Sequence, residues 1–179
     1  MPNTGTKLFI GIKEIYYGDP LTADLASGSD VKTLLSGFTK VLNSHDGTWG
    51  YSQDDPSTTE YVNELTGKTY YRDKTSAGAH NITFTLGAYD YADKAALQGG
   101  AVVPATGTVT GWKDDGALTN VNKAIIALTK TDKYIIFSNA SIVAKVDTQE
   151  KNLGLGITAT AQENETTGVA PEYWFDKTE

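Results

Sequence analysis

Ser44-His45-Asp46 places the three residue types of a hydrolase triad side by side in the chain. A triad works only when nucleophile, base and orienting carboxylate converge in space, with the base in hydrogen-bond reach of the nucleophile. Three consecutive polar residues ahead of Gly47 are turn-formers, and a polar turn is the reading they support. His45 and His80 are the only histidines, which excludes a three-histidine metal site within one chain. The chain has no cysteine, so disulfides, thiolate zinc, cysteine-ligated iron–sulfur clusters and a Cys nucleophile are excluded as well. His80 stands before a strand pattern and reads as a loop residue. Asp54-Asp55-Pro56 and Asp114-Asp115-Gly116 carry carboxylates without the alternating spacing and closing glutamate of an EF-hand, and read as turns. Gly154-Leu155-Gly156 falls inside a strand pattern, not at the strand-to-helix turn of a phosphate loop. The sequons at Asn81, Asn139 and Asn164 carry no weight without a secretory signal. No catalytic, cofactor or metal residue is expected.

The aromatic residues support two kinds of binding. Trp49, Tyr51, Tyr61, Tyr70, Tyr71, Tyr89, Tyr91, Trp112, Tyr173 and Trp174 suit a carbohydrate platform, and equally a protein–protein contact or a sheet core. Tyr70-Tyr71-Arg72-Asp73-Lys74 is the one basic-aromatic cluster, the pattern that stacks on single-stranded nucleic acid. The charge balance opposes that use. Fifteen basic and 22 acidic residues give a net charge of −7, and Arg72 is the single arginine. Phosphate neutralisation needs a basic footprint, which is missing.

The elements that must position these residues follow from periodicity. Chain length, 179 residues, suits one domain, 1–179. A compact monomer of 19.2 kDa exposes about 8,400 Å². Leu153, Leu155, Ile157, Ala159 and Ala161 alternate with polar or glycine positions, as in a half-buried strand. Tyr134, Ile136, Ala140, Ile142, Ala144 and Val146 share one parity across a long run broken by Ser138, and Lys123–Thr129 reads as a strand covered on both faces. With turns at 130–133 and 147–151, these runs predict an antiparallel meander over about 122–162. Leu8, Ile10 and Ile12 alternate and the parity shifts to Ile15 and Tyr17, predicting a strand over 8–17 with a bulge near Lys13-Glu14. Ile82, Phe84 and Leu86 predict another strand. Between them lies a long loop, about 43–80, containing an exposed hairpin from Thr59–Leu65 through Thr66-Gly67 to Lys68–Arg72. Thr33–Val41 reads as a short strand. One helix is expected at 91–98: Asp90 caps it, Asp93 completes a capping box and Gly99-Gly100 ends it. Its packed face is assigned to Ala92, Ala96 and Leu97. The fold expected is mainly β, an antiparallel sandwich or barrel with one short flanking α-helix and a long extended loop with a hairpin. Met1–Lys7 does not read as a signal peptide, and no run approaches the ~18–20 apolar residues of a membrane-spanning helix. A cytoplasmic origin follows as an expectation.

The segment Asn81–Asp90, the helix closing in Leu97-Gln98-Gly99-Gly100, and the late strand Gly154-Leu155-Gly156-Ile157-Thr158-Ala159-Thr160-Ala161 carry a resemblance. In this order, after an N-terminal strand and a long polar loop, the chain is similar over about 6–163 to the major tail tube proteins of long-tailed bacteriophages. It departs from the simplest members in a longer, more aromatic loop around Trp49–Tyr71. The resemblance implies a structural virion protein, made in the host bacterial cytoplasm, whose hexameric rings stack into a tube that passes DNA without binding it specifically. Implied partners are other copies, the tape measure, tail terminator and tail tip proteins. No enzyme activity, cofactor or membrane is implied. The long loop and hairpin would reach neighbouring subunits, with Thr59, Tyr61, Glu64, Lys68, Tyr70 and Arg72 as contact residues. Six copies of −7 carry −42, which would oppose DNA adhesion to a lumen. The long, lysine-poor run Tyr134–Val146 is expected as a sheet edge shared around the ring. The alternative reading is a β-sandwich carbohydrate-binding or adhesion module.

Overall fold

The computed structural model describes residues 5–178, so the reading of Met1–Thr4 lies outside the described residues. The meander is present as expected: β9 (Val121–Leu128), β10 (Lys133–Gln149) and β11 (Asn152–Ala161) pair antiparallel in sequence. On one flank β1 (Glu14–Gly18) pairs with β9, and β2 (Thr39–Lys40) pairs with β1. On the other, β6 (His80–Leu86) pairs with β11, and β3 (Gly50–Gln53) pairs with β6. The chain from β2 to β3 spans the two outer flanks: Val41 N donates to Ile15 O at 2.9 Å, and His45 N donates to Thr85 O at 2.8 Å. The fold is mainly β and antiparallel, as expected.

One core fills one face of this sheet. Ile15, Ile82, Phe84, Ile125, Phe137 and Ile157 lie there with Leu97 of α2 (Tyr91–Gln98). A second core covers the opposite face of β9 and β10, where Ala124, Ile126, Tyr134 and Ile136 meet Leu21, Val31 and Tyr173. Strand β9 is therefore buried on both sides, as its unbroken apolar run indicates.

Several expectations are corrected. Thr33–Val41 is not a strand: α1 (Gly28–Leu34) and a 3-10 turn (Leu35–Gly37) precede the two residues of β2. The Asp30 carboxylate accepts from the Ala26 and Ser27 amides, both at 2.9 Å, and fully buried Val31 anchors α1 to the second core. The fold thus has two α-helices among the described residues, not one. The N-terminal strand starts at Glu14, because Gly11 adopts a left-handed backbone (φ 56°) that breaks the extended run. Upstream, the chain follows the 129–131 turn through irregular bonds, such as Lys130 N to Ile10 O at 3.0 Å.

The single parity assigned to Tyr134–Val146 also fails. Tyr134 and Ile136 face the second core, whereas Ala140 and Ile142 face the first. The register slips between Phe137 and Ala140, and a one-residue slip exchanges the faces of a strand. The peptide groups freed at this bulge are taken up by loops: Ser138 N donates to Pro171 O at 3.0 Å and Ser138 O accepts from Leu21 N at 2.9 Å. Finally, β12 (Glu172–Asp176), not expected from the sequence, pairs with Lys133–Phe137 of β10.

Candidate assembly surface

The predicted hairpin exists, and it stands apart from the body. β4 (Ser57–Asn63) pairs only with β5 (Lys68–Ser76), in a two-stranded sheet of its own. Thr59, Tyr61, Glu64, Lys68, Tyr70 and Arg72 are all exposed, and none belongs to either core. The turn is longer than expected, with β4 ending at Asn63. Asn63 Oδ1 accepts from Leu65 N at 2.9 Å, and Asn63 O accepts from Gly67 N at 2.8 Å, which closes the turn.

The ribbon has two different faces. Tyr61 and Tyr71 are register partners with ring centroids 5.7 Å apart. Glu60 and Arg72 are the adjacent pair, joined by Arg72 Nε to Glu60 Oε1 at 2.8 Å. A register slip after Tyr61 leaves Tyr70 without a partner, and the Thr69 hydroxyl then donates to Glu60 Oε2 at 3.2 Å. One face therefore carries Glu60, Thr69 and Arg72, and the other carries Tyr61 and Tyr71. Arg72, the center of the basic-aromatic cluster, is already neutralised by Glu60.

The exposed area is unusual for this mass. The chain exposes 11199 Å², about a third more than the area expected of a compact monomer of its mass. A two-stranded hairpin is marginal alone in water, and Tyr61, Val62, Leu65, Tyr70 and Tyr71 put apolar surface on it. Leu8, Phe9 and Ile10 of the N-terminal segment and Val143, Val146 and Leu153 at the far end of the meander are also exposed.

The expected sharing edge is corrected in position. From Lys133 to Ile142, β10 lies between β9 on one side and β12 or β11 on the other. Among the described residues, Val143–Gln149 pair only with β11, so the open edge is this last stretch. Two limits decide this: β9 stops opposite Ile142, and β12 covers Lys133–Phe137, although its Tyr173-Trp174-Phe175 run carries no alternation that marks it as a strand.

On α2 the capping residues stand as expected. Asp93 N donates to Asp90 Oδ1 at 2.7 Å, and Asp90 N donates to Asp93 Oδ2 at 3.3 Å. Asp93 also accepts from the Tyr17 hydroxyl at 2.5 Å, and burial together with this bond pushes the Tyr17 phenol well up. Leu97 is fully buried and Ala96 partly buried, but Ala92 is exposed. The assignment of Ala92 to the packed face is thus corrected: it lies on the first turn and is exposed, while its neighbour Asp93 takes the contact with Tyr17 of β1.

The residues with chemical potential do not converge. The His45 ring meets the backbone carbonyl of Asp46 (3.1 Å), and Ser44 forms an isolated bridge to Leu86. The Asp114 and Asp115 carboxylates accept from the amides of Gly116 and Ala117, each at 2.9 Å, as turn residues do. Among the described residues no group of three or more His, Asp or Glu side chains is arranged to hold a metal ion, and no helix is long and apolar enough to cross a membrane. His80 is not a loop residue: it opens β6, and its Nδ1 meets Glu172 of β12. Of the tryptophans, Trp49 packs against the first core, and Trp112 donates to Gly99 O at 2.9 Å beneath the Lys94 ammonium.

Comparison with protein-family models and with curated proteins finds no match for this chain.

Proposed function

We propose that this chain is a self-assembling structural subunit whose copies close into hexameric rings that stack into a tube, as in the phage tail tubes its sequence resembles. The observation that carries this reading is the projecting β4–β5 hairpin, exposed along nearly all its length, on a chain with about a third more surface than a compact monomer needs. Surface of that kind is used when a partner covers it: a standard interface buries about 1,200–2,000 Å² in total. Another copy is the partner of choice, since rings are built from head-to-tail contacts that close. The role is architectural, not catalytic. The tape measure, terminator and tip proteins are the remaining partners in the virion, and the net charge of −7 per copy keeps DNA moving through the lumen.

Negative-stain microscopy of concentrated protein, alone and with a nucleating tail tip, tests the reading. Rings or tubes are expected with the intact chain and are lost when the hairpin is removed. Protein that stays monomeric in both settings overturns it. The carbohydrate reading has less support, because Trp49 and Trp112 are engaged within the fold. Glycan-array binding that disappears in Trp49→Ala would favour it instead.

A further inference from the structure

The β3–β6 and β4–β5 ladders are two stretches of one antiparallel pair. The first ends at Gln53 opposite His80, with Asp54 N donating to Ala79 O at 2.9 Å; the second begins at Ser57 opposite Ser76. Between them Asp54-Asp55-Pro56 runs opposite Ala77-Gly78-Ala79 outside both strands. Pro56 has no N–H to extend the ladder. A Cβ on Gly78 would lie 1.6 Å from the Asp54 carbonyl oxygen, so the two chains touch where only glycine fits. A ribbon interrupted in this way bends at the interruption without disturbing the core, as hinges of a few loop residues do. A cavity of about 390 Å³, lined by Gly78, His80, Gln162, Glu163 and Pro171, lies beside the break and leaves room for the movement.

One carboxylate spans the base of this ribbon. Glu172, at the start of β12, accepts from the Tyr51 hydroxyl of β3 (2.9 Å), from His80 Nδ1 of β6 and from the Trp174 indole. β12 itself is paired only with the central strand β10. Glu172 therefore ties both strands from which the hairpin springs to the middle of the sheet. Its side chain is 14% exposed, so these charge-assisted bonds act in shielded surroundings, where they are stronger than at the open surface. Burial and the Glu172 bond together push the Tyr51 phenol well up, in keeping with a shared, water-poor contact.

We infer that Glu172 is a latch that sets the angle at which the β4–β5 hairpin leaves the body, and that the hairpin pivots at the break between residues 54–56 and 77–79. The inference does not depend on what the hairpin docks against.

The chain has no cysteine, so Leu65→Cys at the hairpin tip and Val143→Cys on β10 accept a spin-label pair specifically. In the monomer with Glu172 intact, a narrow inter-label distance distribution is expected. In Glu172→Ala the distribution broadens, and the Asp54 amide exchanges roughly tenfold faster, the effect of losing about one charge-assisted hydrogen bond. Glu172→Gln, which keeps an accepting oxygen, lies between the two. A lowered melting temperature with an unchanged distance distribution and unchanged exchange means that Glu172 is only a stabilising contact, and overturns the latch. Should Glu172→Ala fail to fold, Tyr51→Phe and His80→Ala each remove one donor, and unchanged readouts in both overturn it equally. These measurements are made on monomer, so their failure is distinct from a failure to form rings.

Discussion

Replacing Thr59–Asp73 by Asn-Gly tests whether the hairpin is separate from the fold. Asn-Gly is the preferred two-residue hairpin turn, and Thr58 keeps its native partner Lys74 across it. The magnitude follows from what is removed. None of the excised side chains belongs to a core. The Glu60–Arg72 pair has side chains 45% and 67% exposed, and such a pair contributes about 0–1 kcal/mol. The Tyr61–Tyr71 contact stabilises the ribbon and not the body. Cutting the β3-to-β6 connection roughly in half lowers its closure entropy by about 0.6 kcal/mol in favour of folding. The net change is therefore within about 1 kcal/mol, or a melting shift no larger than about 4 °C for a chain of this size. Thermal and urea unfolding followed by near-UV circular dichroism reads it. A loss of more than about 3 kcal/mol, or of the near-UV signal, refutes the reasoning: the hairpin would then belong to the core.

The remaining predictions address the body. Leu97→Ala empties a fully buried site on α2 and costs about 2–5 kcal/mol in urea unfolding, whereas a cost under about 1 kcal/mol would show α2 to be loosely docked. Ala96→Asp lowers the melting temperature by bringing a charge into the partly buried side of α2, while Ala92→Asp, on an exposed position, leaves it nearly unchanged; the reverse order would contradict the helix's placement. Asn164→Ala removes a buried donor to Leu21 O (3.0 Å) and costs about 1–3 kcal/mol, measured in the same way. Acid weakens the fold. Lys40 holds Glu14 below its ordinary 4.5, and the Ala26 amide, Lys13 and Lys7 hold Asp30, Asp132 and Asp176 below 3.8. Groups lowered on folding contribute stability above their ordinary values and lose it as pH falls through the folded ones, so the urea midpoint is flat at neutral pH and drops below about pH 4.5. A midpoint that rises on acidification contradicts this sign, and Asp30→Asn makes the drop shallower.

The local elements of this protein are legible in its residues. The capping pair Asp90 and Asp93, the Gly99-Gly100 stop and the existence of the three meander strands and of the hairpin lie where period and turn chemistry put them, although the facing of β10 and the length of the hairpin turn do not. Each depends on residues within a few positions of one another, so the information is contained in a short window. A seven-residue helix escaped the same reading, although Ser27 and Asp30 carry its capping signature. Such a helix is too short to hold without docking, and the docking residue, Val31, meets partners far away in the chain.

The tertiary structure alone decided the rest. The bulge at Ser138-Asn139 looks like one more alternating pair in sequence, yet it moves Tyr134 and Ile142 to opposite faces because distant loops take up its peptide groups. β12 pairs with a strand from which the β11 strand and a loop separate it in the chain, and Glu172 meets Tyr51 and His80 more than ninety positions away. Which part of β10 is an open edge likewise depends on where β9 and β12 stop. Spacing along a chain reports neighbours a few residues away; pairing across a sheet is set by which distant strand buries the most apolar surface beside it, and only the folded chain expresses that choice.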